Sequence, residues 1–353
     1  MIPSPYISVL SNFHLSAEAI DIRSFGEGHI HETYLVVTKD HSPDYILQEI
    51  NHNIFKDIPG MMKNIEAATK HLRLKLSGMP GHDPGRESLA LVYSNNGNSF
   101  YKDEDGQYWR MYVFVPGTVT HQLMTKPKLA AEAGRIIGLF QSLLSDLDAP
   151  LIDTIHGFHD INLRIGQFSE ARSADPAGRV TGVITDICFA EQQFEKMSSY
   201  FASLRQNAVI RPTHNDTKLN NILFDAYGKA LCLVDLDTIM PGYVHFDYGD
   251  ALRTMANTAL EDETDLTKVH FNQEIYNTFT AGYLSEADRF LTMKEKELLP
   301  YSPIYLTFII GLRFLTDYLN GDIYFRIHRP GHNLDRAKVQ FRLVEEMGKI
   351  LIF

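Results

Sequence analysis

Four polar residues occur at fixed spacing in a short segment that lies between two apolar runs. The segment spans residues 211–224, and its chemically capable members are His214, Asp216, Lys218 and Asn221. Phosphoryl transfer needs a carboxylate that receives the acceptor's proton, oxygen ligands for Mg²⁺ and a cation beside the transferring phosphate. Asp216 suits the first task, Asn221 the second and Lys218 the third. The segment therefore predicts a phosphoryl-transfer centre on a loop between strands.

A second carboxylate is expected beside Asn221. The apolar runs 221–224 and 230–234 flank an Asp-Ala-Tyr-Gly turn, which predicts a hairpin that returns the chain close to its start. Asp235 ends the second run, so the hairpin would bring its carboxylate near Asn221, and this pair of oxygen ligands suits Mg²⁺. Asp237 is the alternative ligand. We favour Asp235 because it directly ends the buried strand.

The spacing also matches a loop known from other kinases. His214, Asp216 and Asn221 follow the pattern H-R-D-x-x-x-x-N, in which protein kinases place a catalytic base and a metal-binding asparagine. With a later Val-Asp-Leu in place of Asp-Phe-Gly, the chain resembles the aminoglycoside and choline kinase-like phosphotransferases. The resemblance is narrowest to the N-acetylhexosamine 1-kinases, and it is carried by residues 25–34, 45–51, 214–218, 234–238, 247–250 and 313–324.

The resemblance implies an enzyme that transfers a phosphoryl group from ATP, with Mg²⁺, to the anomeric (C1) hydroxyl of N-acetylglucosamine or N-acetylgalactosamine. The product would be the sugar 1-phosphate. The resemblance implies Asp216 as the base, and Asn221 and Asp235 as magnesium ligands. It also implies contacts with the sugar from Asp216 and from four further residues, which are His31, Asn215, Arg313 and Tyr324. These types are suitable, because arginine donates hydrogen bonds in a planar fork and an aromatic ring can cover the apolar face of a sugar.

Two alternatives remain open at this point. Choline, an aminoglycoside or another sugar would be a different acceptor for the same reaction, but a cationic acceptor needs an acidic or aromatic pocket, which Arg313 and His31 do not suggest. The chain could instead be a nucleotide-binding pseudokinase that has lost catalysis. The intact Asp216, Asn221 and Asp235 argue against that second alternative.

The first third of the chain carries the residues expected at the nucleotide. Gly26 and Gly28 form a turn whose backbone N–H groups could cover phosphate oxygens, although the third glycine of G-x-G-x-x-G is missing. Gln48 stands where protein kinases have a strand lysine, so Glu66 on the following helix has no evident cationic partner. Val115, at the end of the last strand, is expected to contact the nucleotide. The sequence leaves open what replaces the lysine.

The pattern of apolar residues predicts an α+β, bilobal, protein-kinase-like fold. A small β-sheet lobe with one helix is expected over residues 1–117, and a larger, mainly helical lobe with the catalytic loop and acceptor site over 118–353. Pro116-Gly117 marks the boundary. Residues 148–186 are predicted to be a polar, irregular excursion. Helices are predicted near 129–147, 189–205, 249–259, 272–283, 285–290, 301–319 and 333–350.

Composition limits the class of protein. With 353 residues and a net charge of −11, the chain is long enough for two lobes and unsuited to nucleic acid or an anionic membrane. No signal peptide is evident, and the apolar stretch 304–312 is too short to span a bilayer. We therefore expect a cytoplasmic enzyme without nucleic-acid or membrane partners. The sequence leaves the oligomeric state open, and a monomer is the expectation that we adopt.

Overall fold

A twisted antiparallel sheet forms the first part of the protein. The computed structural model describes residues 2–26, 30–40 and 42–351. The strands run in the order β1-β2-β3-β6-β4, with β5 paired to β6. Their bounds are β1 (Ala19–Ser24), β2 (Glu32–Thr38), β3 (Tyr45–Ile50), β4 (Leu91–Val92), β5 (Tyr101–Lys102) and β6 (Tyr108–Val113). Val36, Leu47 and Met111 are fully buried at the centre of the sheet's own small core.

The register between β3 and β6 matters for the site. These strands pair antiparallel, with Gln48 directly opposite Arg110. Directly opposed residues have Cβ atoms about 4.5–5.5 Å apart, so their side chains contact each other. The strand that carries the unexpected glutamine is therefore joined to one that carries a cation.

Three helices accompany the sheet, whereas the sequence predicted one. Helix α2 (Ile58–Ser77) is the predicted helix, and it begins at Asp57, whose carboxylate accepts a hydrogen bond from the Gly60 N–H at 2.9 Å. Helices α1 (Ser4–Leu10) and α3 (Pro84–Glu87) were missed. Both span two turns or fewer, which is too short for apolar periodicity to register.

The chain changes sheets after Pro116. Gly117 has φ +66, a left-handed conformation that glycine adopts at little cost. The next strand, β7 (Thr118–Val119), pairs with β9 (Ile222–Asp225) and not with the first sheet. This pairing supports the predicted boundary at residue 117, which stays a prediction.

Helices dominate the remainder of the described chain. They are α4 (Pro127–Leu144), α5 (Ile161–Ala174), α6 (Ile184–Asn207), α7 (Val244–Met255), α8 (Gln273–Ala287), α9 (Met293–Leu298), α10 (Ser302–Leu319) and α11 (His332–Ile350). The prediction of an irregular 148–186 excursion was wrong, because α5 and a 3₁₀ turn at Val180–Val183 lie within it. Helix α5 buries only Ile161, Phe168 and Ala171, with Ile165 partly buried between them, so its apolar face is narrow. The separate helix predicted at 285–290 was also wrong, since α8 continues to Ala287.

Among the described residues, one helical segment is apolar and long enough to cross a membrane by length and composition. It is Met293–Leu319, and 72% of its most apolar window is buried inside the protein. A core helix of a soluble protein has the same properties. Helix α10, which ends this segment, packs against α7 and α11.

Helices α4 and α8 approach each other closely at a glycine. A Cβ atom added to Gly134 would lie 2.1 Å from the backbone oxygen of Phe279. Helix α4 also carries Gln141, which donates a hydrogen bond to Asp247, the carboxylate that holds the catalytic loop described below. The close approach therefore fixes a helix that supports the site.

We predict that Gly134→Ala lowers the free energy of unfolding by about 3 kcal/mol, because overpacking against rigid backbone forces the helices apart. Urea denaturation measures the change. Gly166→Ala is the matched control, since a Cβ there meets nothing within 4 Å and alanine favours the helix by about 0.5–1 kcal/mol. Equal stability of the two variants would contradict the prediction.

Candidate active site

A short two-stranded ribbon presents the catalytic loop. Strand β8 (Arg211–Thr213) pairs with β11 (Met240–Gly242), and the loop 214–221 follows β8 directly. Asn215 adopts φ +65, which a non-glycine residue holds only where its surroundings enforce it. The loop closes in a 3₁₀ turn at Leu219–Asn221.

A buried carboxylate enforces this conformation. Asp247, on α7, accepts hydrogen bonds from the backbone N–H groups of His214 at 3.0 Å and Asn215 at 2.7 Å. Gln141 donates a third at 2.9 Å. Asp247 is completely buried, and these contacts make it a structural support of the loop.

His214 braces the loop against the next hairpin. Its Nδ1 accepts from the backbone N–H of Asp216 at 3.3 Å, so the proton lies on Nε2, which donates to the Val234 carbonyl at 2.9 Å. Both ring nitrogens are thus occupied inside the protein. The loop and the strand that leads to Asp235 are held together by one side chain.

Asp216 and Lys218 form an ion pair at the open side of the loop. Lys218 Nζ lies 2.8 Å from Asp216 Oδ2, and the two side chains are 29% and 25% exposed. Burial opposes ionisation of Asp216, but the charge of Lys218 holds the pKa of this carboxyl below its usual range. Burial likewise disfavours the charged lysine, yet Asp216 and Asp235 together raise its pKa. Both groups are therefore ionised at neutral pH.

Asn221 is oriented by the same aspartate. Its Nδ2 donates to the Asp216 backbone oxygen at 2.8 Å and to Asp216 Oδ2 at 3.1 Å. Within the described chain, no donor occupies its Oδ1. The predicted hairpin is confirmed, since β9 pairs with β10 (Ala230–Leu233) and the Val234 N–H bonds to the Asn221 carbonyl at 2.9 Å.

Asp235 stands next in this hairpin in a left-handed conformation, with φ +63. No donor from residues 2–26, 30–40 or 42–351 bonds to its carboxylate. Burial and the charge of Asp237 raise its pKa. A free carboxylate beside a free carboxamide oxygen is a donor set that fits Mg²⁺, which takes one or two carboxylates and completes its shell with phosphates and water. No cluster of three or more His, Cys, Asp and Glu residues in the described ranges could hold a metal alone.

Asp237, the alternative ligand, is fully occupied. Arg110 Nη1 bonds to its Oδ1, Arg110 Nη2 lies 3.0 Å from its Oδ2, and His31 Nε2 also bonds to Oδ2. Burial opposes its ionisation, but the Arg110 guanidinium and His31 hold its pKa well below the usual range. Breaking one partner of such a buried pair typically costs about 3–5 kcal/mol. The geometry thus leaves Asp235 as the carboxylate available to a metal.

Two residues predicted at the acceptor lie inside the protein. His31 uses Nε2 on Asp237 and accepts the Asn51 N–H at Nδ1, at 3.0 Å. The amide of Asn215 donates to the carbonyls of Thr213 at 3.1 Å and Thr238 at 2.9 Å. Their predicted contacts with the sugar stay predictions. In this structure the side-chain donors of both residues are used in hydrogen bonds inside the protein.

The other two acceptor candidates are together. Arg313 Nη2 lies 3.4 Å from the Tyr324 hydroxyl, and Tyr324 is 53% exposed. The Arg313 guanidinium lies over the rings of Phe158 and Tyr324, at 5.1 and 5.6 Å from their centroids. The carboxylate of Asp317 fixes the Tyr324 loop through three backbone N–H groups. The structure therefore brings Arg313 and Tyr324 into one surface.

Two residues close to Arg313 were not predicted from the sequence, the partly buried Arg164 and the buried His159. Arg164, on α5, donates to the Phe158 carbonyl at 2.7 Å, and its Nε is buried without a partner among the described atoms. Burial and the charge of Arg313 lower the pKa of Arg164 to about 10. His159 donates from Nε2 to the Asn215 carbonyl at 3.1 Å, and burial lowers its pKa to about 3, so it is neutral. Neither residue stands in a motif with fixed spacing that could have revealed it.

The nucleotide-side predictions are divided. Gly26 has φ +79 and open space around it, as a covering turn needs, whereas Gly28 lies outside the described residues. Gln48 donates to Thr33 Oγ1 at 3.0 Å and accepts from Arg110 Nε at 2.9 Å, so both ends of its amide are hydrogen-bonded within the protein. Val115 is buried. Their roles at a nucleotide stay predictions.

Glu66 pairs within its own neighbourhood. It bonds to Lys70 on the same helix and accepts from the Tyr93 hydroxyl at 3.1 Å. No cation from the described strands reaches it. The lysine–glutamate pair of protein kinases is therefore absent from this part of the structure.

Comparisons with known proteins agree with this geometry. A sequence model described as the phosphotransferase enzyme family (APH) matches residues 21–283. The fold is similar to an aminoglycoside phosphotransferase from Alicyclobacillus acidocaldarius, with a TM-score of 0.66, 11% identity and coverage of 99% of this chain and 94% of that one. A microcompartment-associated aminopropanol kinase has a TM-score of 0.64 and 13% identity, with coverage of 99% of this chain and 97% of that one. A choline kinase from Cryptosporidium parvum has a TM-score of 0.55 and 13% identity, with coverage of 94% of this chain and 90% of that one.

These similarities confirm the predicted α+β, protein-kinase-like fold. The matched region contains the catalytic loop, the hairpin and α7, and it ends before Arg313 and Tyr324. It covers well over half of the chain. The chain belongs to the phosphotransferase enzyme family, and it is a small-molecule kinase with ATP and Mg²⁺ as its cofactors.

Proposed function

We propose that this kinase phosphorylates the anomeric (C1) hydroxyl of an N-acetylhexosamine, N-acetylglucosamine or N-acetylgalactosamine, giving the sugar 1-phosphate. The observation that carries the proposal is the charge on the acceptor side of the catalytic loop. Arg313 and Arg164 lie near each other there, and neither forms an ion pair with a carboxylate of the described chain. A polar acceptor rich in hydroxyl and carbonyl oxygens complements such a surface.

A cationic acceptor fits this surface poorly. Choline, ethanolamine and aminoglycosides carry positive charge, which two nearby guanidinium groups would repel. Aromatic faces can bind a quaternary ammonium group, but Arg313 already lies over the rings of Phe158, Tyr324 and Phe325. A different neutral sugar is the second candidate, because the guanidinium groups of Arg313 and Arg164 would suit its hydroxyl oxygens equally well.

The proposed reaction uses the loop as follows. Asp216 accepts the proton of the C1 hydroxyl as the sugar oxygen bonds to the γ-phosphorus and the bond to the bridging oxygen of ADP breaks. An anomeric hydroxyl is more acidic than an ordinary alcohol, so an ionised carboxylate of low pKa suffices as the base. Lys218 holds Asp216 in place and adds positive charge beside the transferring group. Asn221 and Asp235 would hold Mg²⁺, which would supply neutralising charge at the phosphates.

The proposal includes a cytoplasmic, monomeric enzyme. ATP is a cytoplasmic cosubstrate, and Asp216, Arg164 and Arg313 all come from one chain, so no second copy is needed to complete the site. Gel filtration with light scattering and cell fractionation would test these two statements.

The experiment that tests the function is a panel of acceptors with product identification by ³¹P NMR. N-Acetylglucosamine or N-acetylgalactosamine should give a phosphate on C1, with coupling to the anomeric proton. Choline, ethanolamine and an aminoglycoside should give no turnover above ATP hydrolysis. Phosphorylation of a cationic acceptor in preference to the N-acetyl sugars would reject the proposal.

We predict that Asp216→Asn lowers kcat by roughly 10²–10⁴-fold, because the amide cannot take the acceptor's proton. Binding of ATP, measured by calorimetry, should change little. Asp225→Asn makes the same chemical change in the hairpin turn and should retain activity. An active Asp216→Asn enzyme would show that another group is the base.

Arg313→Ala should raise the KM for the sugar by roughly 10- to 100-fold, the value of about one hydrogen bond to a charged group. The KM for ATP should stay within about twofold if Arg313 touches only the acceptor. Arg172→Ala, on the exposed face of α5, is the control. Equal increases in both KM values would argue against the placement of Arg313 at the acceptor.

A further inference from the structure

We propose that Arg110 is a positioning residue for phosphoryl transfer. It supplies from strand β6 the buried cation that protein kinases supply as a lysine on the third strand, and it acts through Asp237 to hold Asp235 at the metal site. The proposal depends on the kinase activity of the family and not on the identity of the acceptor. A failure here would therefore leave the proposed sugar specificity untouched.

Arg110 occupies the place next to the missing lysine. It lies directly opposite Gln48 in the β3–β6 register. Gln48 Oε1 accepts from Arg110 Nε at 2.9 Å, while Gln48 Nε2 donates to Thr33 Oγ1 at 3.0 Å. The glutamine thus fixes the plane of the guanidinium. A lysine at position 48 would bring a second cation to this point.

The guanidinium is committed to Asp237. Arg110 is 1% exposed and Asp237 2% exposed, and the two form a bidentate pair. Arg–carboxylate pairs of this fork geometry are among the most directional in proteins. His31 adds a further donor, because its Nδ1 accepts the Asn51 N–H and its proton must therefore lie on Nε2. Asp237 is bound from two sides.

Asp235 lies between two anchors. Upstream, Val234 bonds to Asn221 through its N–H and to His214 through its carbonyl. Downstream, Asp237 belongs to the 3₁₀ turn Leu236–Thr238 that begins at Asp235. The left-handed backbone of Asp235, φ +63, persists only where such anchors impose it. Arg110 provides the downstream anchor.

The pair also keeps the two carboxylates in different roles. Without a cation on Asp237, both Asp235 and Asp237 would offer a free carboxylate to the same metal ion. With Arg110 in place, only Asp235 offers a free carboxylate. The Arg110–Asp237 pair joins the first sheet to the turn that carries Asp235 and Asp237. Glu66 takes no part in this connection, because it bonds to Lys70 and Tyr93.

The test is the double variant Arg110→Met with Asp237→Asn, which removes both charges together and leaves an acceptor for His31. Removing both members of a buried pair is tolerated far better than removing one, so the protein should fold. We expect binding of Mn²⁺ in the presence of a non-hydrolysable ATP analogue, followed by electron paramagnetic resonance, to weaken about 10- to 100-fold. The kcat should fall by a similar factor, with the KM of the acceptor unchanged.

Arg110→Lys and a rescue variant complete the design. The lysine variant keeps the charge but loses the fork, so we expect a folded protein with Mn²⁺ affinity reduced to an intermediate value. Adding Gln48→Lys to Arg110→Met returns a cation from the opposite strand and should recover part of the affinity. Glu66→Gln is the matched control and should leave affinity and kcat unchanged.

Three outcomes would overturn the proposal. The first is a double variant that binds Mn²⁺ and turns over like the unmodified enzyme, which would make the pair purely structural. The second is Arg110→Lys with unchanged Mn²⁺ affinity, and this result decides the matter even if the double variant does not fold. A loss of affinity in Glu66→Gln as large as in the Arg110 variants would equally contradict it.

Discussion

A carboxylate buried between the first sheet and the catalytic hairpin has to be neutralised by the protein itself, and the arrangement of this site depends on that constraint. Asp237 is almost inaccessible to water, where an unpaired charge is very costly. Arg110 and His31 meet the requirement from the sheet. As a result, the sheet is joined to the hairpin at one defined point, and Asp235 is left as the free carboxylate beside Asn221.

A second buried carboxylate performs the corresponding task for the loop itself. Asp247 collects the backbone N–H groups of His214 and Asn215, so the loop keeps its left-handed turn. Asp216 then stands between a lysine and an asparagine, both of which bond to its Oδ2. The reactive groups are thereby held before any substrate arrives, which is the condition for electrostatic stabilisation of a transition state.

The parts of this site that are local in sequence could be predicted. The spacing from His214 to Asn221 and the hairpin that returns Asp235 depend on turns of a few residues, and both are present in the structure. The Arg110–Asp237 pair joins residues 127 apart, and the His31–Asp237 contact joins residues 206 apart. No local pattern encodes such distances. One signal was available, because Arg110 is a charge inside an otherwise apolar strand.

The residues proposed to contact the acceptor were harder to predict, because they also are far apart in the sequence. Arg164 comes from a helix with a narrow apolar face, and its proximity to Arg313 depends on how α5 packs against α10. His31 and Asn215, by contrast, carried the right residue types but are consumed by internal hydrogen bonds. The family match ends at residue 283, before Arg313. Arg313 and Tyr324 therefore lie outside the region that the family model matches, whereas the catalytic loop and the hairpin lie within it.

The claim that Asp235 binds the metal while Asp237 pairs with Arg110 is tested most directly by a crystal structure with Mg²⁺, a non-hydrolysable ATP analogue and N-acetylglucosamine. We predict a magnesium ion about 2.1 Å from an oxygen of Asp235 and from Asn221 Oδ1, with Arg110 still paired to Asp237. A magnesium ion on Asp237, with Arg110 turned to the phosphates, would contradict it.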